Sequence, residues 1–579
     1  MKNIFHRLFL LCSIYLLLLT SCLPWWKKKS VINIPLKTEV TTIDPHLSYD
    51  YVSNLVTHQM YDTLYSFHYL KRPYQIEPLL AEGMPEFLNG GKELIIKIKK
   101  NIPYHSIKGV KATLTIKAQD FVNSFKRLAY KHTASRAWWL AKNLFVGLDE
   151  IHDKSDSVTE LMNAALPGIM AIDEHTLKLT LKKNMPPHQV LNLLTMTFTA
   201  PIPIEVFTVL HNNLSDKEVG SGAYKLLSLD LKNIITMEAF DEYNVIKYPN
   251  VGDRYAHEQN LLIDANKKIP FIKKLNFYVD SDEKNRWEKF KNKDYSFVEL
   301  PRPYTEEVLK EDGGLNTVLA KEKIQMEQSA SLAFWFIEFN MQNSILGNNL
   351  NLRNAIAHSL DMRKFLWEFS HNADQKANSL YTPGIFGYRA SKELPYEYDV
   401  DKAKNFLKLA GYPNGEGLPT IVFDTRRETL SHIKQAEYIK EALGLIGIKV
   451  EIKINTFTQF IEKVKKKSMM MWQGGWLLDF PDAENILQLF YSKNSGNGGP
   501  NKSYYNNPNF DKLFEQMIRL ENNKEKLDRL IQLEDIILTE LPLIMLYYSK
   551  NYFLYHNDIK NFRFNELSMG FVKFLKSEI

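Results

Sequence analysis

The 579-residue chain has only two cysteines, Cys12 and Cys22. Cys12 falls inside the apolar run Leu8–Leu19, which follows Lys2 and Arg7 and reads as a secretory signal removed on maturation. Cys22 is then the one cysteine left, which excludes a disulfide within the mature chain. An exported protein of this size must rely on its apolar core, which 45% hydrophobic residues can supply. Long hydrophobic runs are also missing: Leu8–Leu19 is too short for a membrane span, which takes roughly 20 residues. Charge of one sign is scarce as well. Taking Lys2, Arg7 and Lys27–Lys29 from the formal +6 leaves a body of +1, too little for a nucleic-acid footprint. Signature motifs of catalysis are absent: His257-Glu258 has no second histidine at zinc-protease spacing, and no Gly-x-Ser-x-Gly, P-loop or Cys-x-x-Cys occurs. His46, His58 and His68 share an early region, but their spacings match no metal-ligand motif, so no metal or cofactor is expected. Internal repeats, heptad arrays and long low-complexity tracts are missing too.

What is present begins with an address. Leu19-Thr-Ser-Cys22 resembles a bacterial lipobox, whose cysteine would become the diacylglycerol-bearing N-terminus of residues 22–30 after loss of the signal peptide 1–21. Each buried methylene of such a lipid contributes about 0.8 kcal/mol to anchoring. The alternative is an ordinary signal peptide with an incidental cysteine. Trp25, Trp26 and Lys27–Lys29 read as an interfacial tether, with aromatic rings at headgroup depth and lysines toward anionic lipid; a solvated linker is the other reading.

Length implies at least two lobes, because single cores stop growing near roughly 250–300 residues. Alternation marks strands at Leu94–Ile98, Thr176–Leu181 and Ile448–Ile454. Thr420–Phe423 as strand, His432–Leu443 as helix stopped by Gly444, and Ile448–Ile454 as strand form a βαβ crossover, which requires parallel strands. Asp399–Gly411 reads as a helix capped by Asp399 and stopped by Gly411. The polar segments Asn343–Asn351 and Ser492–Asn507 read as surface loops.

The most informative stretch is Gly474-Gly-Trp-Leu-Leu-Asp-Phe-Pro-Asp482. Gln473, Gly474 and Gly475 before it and Pro481 within it predict a loop carrying Trp476 and Asp479, a pair that could clamp a cation against an aromatic wall. The plainer reading makes Trp476 a core plug and Asp479 the cap of a helix starting near Asp482–Ile486. The segment is followed by the polar Ser492–Ser503, by Tyr505-Asn-Asn-Pro-Asn-Phe-Asp-Lys-Leu513 and by Pro542-Leu-Ile-Met-Leu-Tyr547. Earlier lie Thr42–His46, Pro78–Glu82, Thr115–Arg127, Val219–Lys225, Phe339-Asn340 and Leu352–Asp361. In this order, over nearly the whole mature chain, these segments resemble the oligopeptide- and dipeptide-binding family of bacterial solute-binding proteins that serve ABC importers.

The resemblance implies an α/β, two-lobed periplasmic-binding-protein-like fold of type II, in the large peptide-binding cluster, with an extra subdomain in the first lobe. Residues 31–68, 185–337 and 545–579 would form lobe I, 69–184 the subdomain and 338–544 lobe II, with crossings near Ile337–Met341 and Leu541–Tyr548. The family's aspartate at the position of Asp479 pairs with a ligand α-ammonium, and Trp476 would wall the adjoining pocket. Backbone hydrogen bonds would hold an extended peptide whatever its side chains. Tyr49, Tyr51 and Ser53 fall where the first lobe touches the ligand. Gln473 stands where enteric relatives have an arginine that holds the ligand carboxylate, so that group needs another partner. The expected protein is a monomeric, lipid-anchored oligopeptide receptor on the extracytoplasmic face of a bacterial membrane, delivering to an ABC permease and ATPase complex and having no catalysis. Alternatives are another cargo on the same scaffold, such as a nickel chelate, haem, an oligosaccharide or a modified peptide, or a surface lipoprotein hydrolase.

Overall fold

The computed structural model describes residues 30–107, 109–183, 187–495, 499–564, 566–567 and 569–578. The signal, Cys22, Trp25, Trp26 and Lys27–Lys29 lie outside them. No helix among the described residues is long and apolar enough to cross a membrane.

Lobe I is built on a four-stranded sheet in the order Val31–Leu36, Lys274–Val279, Ile234–Ala239, Tyr224–Asp230, with only the first pair parallel. Ile32, Ile34 and Leu36 alternate inward and meet Leu275 and Phe277 in one core. That core continues into a second four-stranded sheet, Glu86–Leu88, Glu93–Lys97, Thr176–Thr180 and Ile169–Asp173. The helix Ala118–Ala129 packs Phe121 and Phe125 into the same core. The strands expected from alternation at Leu94–Ile98 and Thr176–Leu181 occur as Glu93–Lys97 and Thr176–Thr180.

A seven-stranded sheet runs from lobe II into segments expected in lobe I, on the main path Phe297–Glu299, Leu543–His556, Ile324–Phe339, Met471–Leu477, Ile421–Asp424, Val450–Lys453. The expected βαβ unit is present. Ile421–Asp424 and Val450–Lys453 are parallel, and the helix Leu430–Gly444, capped by the Thr429 hydroxyl, connects them. Asp399 likewise caps Val400–Leu409, and Gly411 follows in the left-handed region at φ +92°. Alternation along Ile324–Phe339 buries Phe334 and Phe336 in a core on one face and Ile337 and Phe339 in a core on the other.

Two antiparallel strands of unusual length, Ile324–Phe339 and Leu543–His556, join the lobes. At one end Phe553 enters the lobe I core, and at the other Ile337 and Ile544 enter a lobe II core. Their register breaks between Ala330 and Phe334, which leaves Ser331 and Leu332 without partners on Leu543–His556.

Two sequence readings are corrected. Gln473, Gly474 and Gly475 do not interrupt regular structure but lie inside the strand Met471–Leu477. A Cβ on Gly474 would stand 2.2 Å from the Phe336 ring, and one on Gly475 would stand 2.5 Å from the Trp335 ring, so rings of the neighbouring strand occupy the space that side chains would need. Ser492–Asn507 is not wholly a surface loop. Asn501, Ser503 and Tyr505 are buried, because the Asn501 amide donates to Tyr491 O and Tyr505 O while Met341 N donates to Ser503 O.

Candidate functional site

The lobes enclose a cavity of about 320 Å³. Lobe I and its subdomain line it with Ser48, Tyr49, Tyr51, Asn54 and Trp139, and lobe II closes it with Leu477, Leu478, Asp479 and Phe480. Tyr49, Tyr51 and Trp139 are 41%, 42% and 56% exposed, an aromatic surface left open to a cavity rather than packed away.

The loop that presents Tyr49 is fixed from behind. Arg127 donates to both Asp44 carboxylate oxygens at 2.7 and 2.6 Å, and Arg127 Nη1 lies 2.8 Å from His46 Nδ1. Burial, together with the Arg127 charge, pushes the His46 pKa down to about 3, so the ring is neutral and structural. The Thr42–His46 segment is therefore scaffold. It ties the loop to the subdomain helix that carries Arg127.

Asp50 then starts the helix Tyr51–Met60, its carboxylate accepting from Ser53 N at 2.8 Å. Ser53 is fully buried and its hydroxyl accepts from Thr41 N at 3.0 Å, so it is a scaffold residue and not part of the cavity wall. Tyr49 accepts a hydrogen bond from Trp139 Nε1 at 3.1 Å. Its hydroxyl pKa is raised, first by burial and further by the negative charge of Asp479 across the cavity.

Asp479 sits on the bend after the strand Met471–Leu477, exposed toward the cavity. Asn485 Nδ2 donates to it at 3.2 Å, and Asn485 Oδ1 accepts from Trp476 Nε1 at 2.7 Å. The fully buried Asn485 thus sets the position of both residues. Asp479 does not cap the following helix. Asp482 holds that end, accepting from Glu484 N at 2.9 Å, while Lys526 at 2.8 Å keeps its carboxyl ionised and low in pKa despite burial.

Trp476 and Gln473 do not line the same cavity as Asp479. Trp476 borders a second, much smaller recess of about 10 Å³ with Gly474, Gly475, Glu338, Arg426 and Lys502. Trp472 Nε1 donates to Glu338 at 2.8 Å, and burial pushes the Glu338 pKa up to about 7. Alternation sends Gln473 to the other face of the sheet, where it is buried and donates to Gln435. The recess beside Trp476 holds two cations, Arg426, which donates to Gly475 O at 2.9 Å, and Lys502.

Among the described residues the strand Met471–Leu477 has a ladder partner on one side only beyond Trp472, because its pairing with Ile421–Asp424 covers Met471 and Trp472 alone. Its open edge leads to Asp479 at one end and passes Arg426 at Gly475. An extended chain can add to such an edge.

Among the described residues one group has metal-ligand proximity, His188, Asp482 and Glu484. His188 Nε2 lies 2.9 Å from Glu484, an interlobe contact, but the Lys526 ammonium on Asp482 already supplies the positive charge there. The early histidines are committed separately: His46 to Ser124, His58 to Asn54 O at 2.9 Å, and His68 to Leu70 N at 3.1 Å.

Three site residues were not singled out from the sequence: Trp139, Asn485 and Glu566. Only Trp139 gave a local signal, the exposed-side tryptophan of the pair Trp138-Trp139.

The family model for bacterial extracellular solute-binding proteins, family 5 Middle, matches residues 75–498. The oligopeptide-binding protein OppA of Bacillus subtilis is 24% identical over 553 residues, covering 92% of this chain and 90% of that protein. Heme-binding protein A of Haemophilus influenzae is 24% identical over 499 residues, covering 85% and 82%. The solved structure of the periplasmic binding protein DppA from Helicobacter pylori, in complex with the peptide STSA, superposes with a TM-score of 0.66 at 23% identity, over 96% of this chain and 99% of that one.

Proposed function

Because the chain belongs to the bacterial extracellular solute-binding proteins of family 5, a family of binding proteins and not of enzymes, we propose that it captures oligopeptides between its lobes and delivers them to an ABC importer. The observation that carries this reading is Asp479, an exposed carboxylate facing Tyr49 across an interlobe cavity at the end of an unpaired strand edge. A peptide laid along that edge would bring its α-ammonium to Asp479, where a desolvated, charge-assisted hydrogen bond fixes the register. Its backbone would take up the edge N–H and C=O groups, which selects no side chain. Arg426 and Lys502, farther along the strand, are the groups we assign to the ligand's carboxylate in place of Gln473. OppA and DppA, named or crystallised as peptide binders, support the cargo. We further assign the lipid anchor to Cys22 and expect a monomer.

Mass spectrometry of protein purified from its native membrane tests both parts. Released small molecules should be peptides, and the N-terminal fragment should carry a diacylglyceryl group on Cys22. Haem, a metal chelate or an oligosaccharide as the co-purifying species would contradict the peptide reading, and an unmodified cysteine would contradict the anchor.

A further inference from the structure

The interlobe cavity holds a second carboxylate. Glu566, from the C-terminal segment, reaches the wall where the register of the two long strands breaks. There it accepts from Leu332 N at 2.8 Å and from Ser331 Oγ at 3.0 Å. Leu332 O in turn accepts from Leu478 N at 3.0 Å, the residue before Asp479. The two acids are therefore linked through one hydrogen-bonded ladder, Glu566 at Leu332 and Asp479 next to Leu478. Among the described residues lining the cavity there is no lysine or arginine. Its one histidine, His58, is held neutral by burial, with a pKa pushed down to about 4. Tyr49, Tyr51 and Trp139 add aromatic rings, whose faces attract cations.

One carboxylate is accounted for by a peptide's α-ammonium. The second is held by Leu332 N and Ser331, with the Asn551 amide beside it, and none of these brings positive charge. Burial raises its pKa, and the negative charge of Glu299 raises it further. Resting on the peptide-binding reading, we propose that this cavity selects peptides with a basic side chain at the first or second residue, Asp479 taking the α-ammonium and Glu566 the side-chain cation. An acidic residue at the same place would meet two like charges in a partly desolvated space and be rejected.

Titration calorimetry with tripeptides tests this. Lysine, norleucine and glutamate are placed in turn at position one or two of an otherwise alanine peptide. Norleucine keeps the apolar stem and removes the charge. Wild-type protein should bind the lysine peptide at least about tenfold tighter than the norleucine peptide at one of the two positions, a difference of roughly 1.4 kcal/mol, and bind the glutamate peptide most weakly. In Glu566→Gln, which retains an oxygen for Leu332 N and Ser331, the lysine-to-norleucine ratio should fall to about one. Glu566→Asp, with the charge on a shorter stem, should keep a ratio above one. Equal affinity for lysine and norleucine in the wild type overturns the charge selection alone. A ratio unchanged in Glu566→Gln overturns the assignment to Glu566. Failure of every peptide to bind overturns the peptide reading beneath both.

Discussion

Among the described residues Asp479 has one side-chain hydrogen-bond donor, Asn485, and it faces solvent in the cavity, so its removal should cost the empty protein little. Asp479→Ala is expected to weaken free-amine peptides by about 2–5 kcal/mol, the range for stranding one partner of a buried charge pair. N-acetylated peptides should bind the wild type poorly and lose little more in the variant. Calorimetry on the four combinations reads this; equal losses for both peptides would mean that Asp479 shapes its bend without touching the amine. A melting temperature for the empty variant lower by an amount matching about 1 kcal/mol would instead point to a capping role. Glu338 tests the electrostatics of the neighbouring recess. Its folded pKa, near 7, is above the ordinary carboxylate value of 4.5, so the protonated form favours folding. That contribution is complete below about pH 4.5 and is lost as pH rises through 7. Relative to Glu338→Gln, wild-type stability should therefore fall by about 2–3 kcal/mol between pH 5 and 8, at roughly 1.4 kcal/mol per pKa unit. Urea unfolding at both pH values checks it, and parallel curves for the two proteins would refute a buried, protonated Glu338.

The strand Met471–Leu477 shows what can and cannot be read from local sequence. Its glycines lack side chains, which suggested a loop, yet the space above them is filled by Phe336 and Trp335 from a strand more than 130 residues earlier. Nothing within the segment encodes that neighbour. The βαβ unit and the Asp399-capped helix before it, by contrast, were legible because alternation, helix periodicity and capping each act within a few residues. Asp479, Tyr49 and Tyr51 were reached through family resemblance and meet in one cavity, whereas Glu566 owes its place to contacts more than 230 residues away that no local pattern records. Gly474→Ala tests the packing directly. A methyl 2.2 Å from the Phe336 ring forces it to move, and overpacking of this kind costs about 1–3 kcal/mol. Gly444→Ala, at the end of the helix Leu430–Gly444 with no atom within 4 Å of the new Cβ, should be neutral or stabilising by up to about 1 kcal/mol. Chemical denaturation should show a loss of stability in Gly474→Ala and none in Gly444→Ala; no cost at Gly474 would contradict the close approach of Phe336.

At the scale of the whole molecule, the cavity exists only because two long strands hold the lobes face to face, with residues of both lobes in its wall. The His188 contact with Glu484 shows the lobes touching beside it. A ligand that touches both walls has higher affinity for the closed arrangement than for the open one, so it must shift that equilibrium. Tight binding to one lobe alone would shift nothing. Small-angle X-ray scattering of residues 30–579, with and without a saturating free-amine peptide, reads this most directly. A smaller radius of gyration with peptide is the predicted result, and an unchanged radius at a peptide concentration shown by calorimetry to fill the site would contradict capture between the lobes.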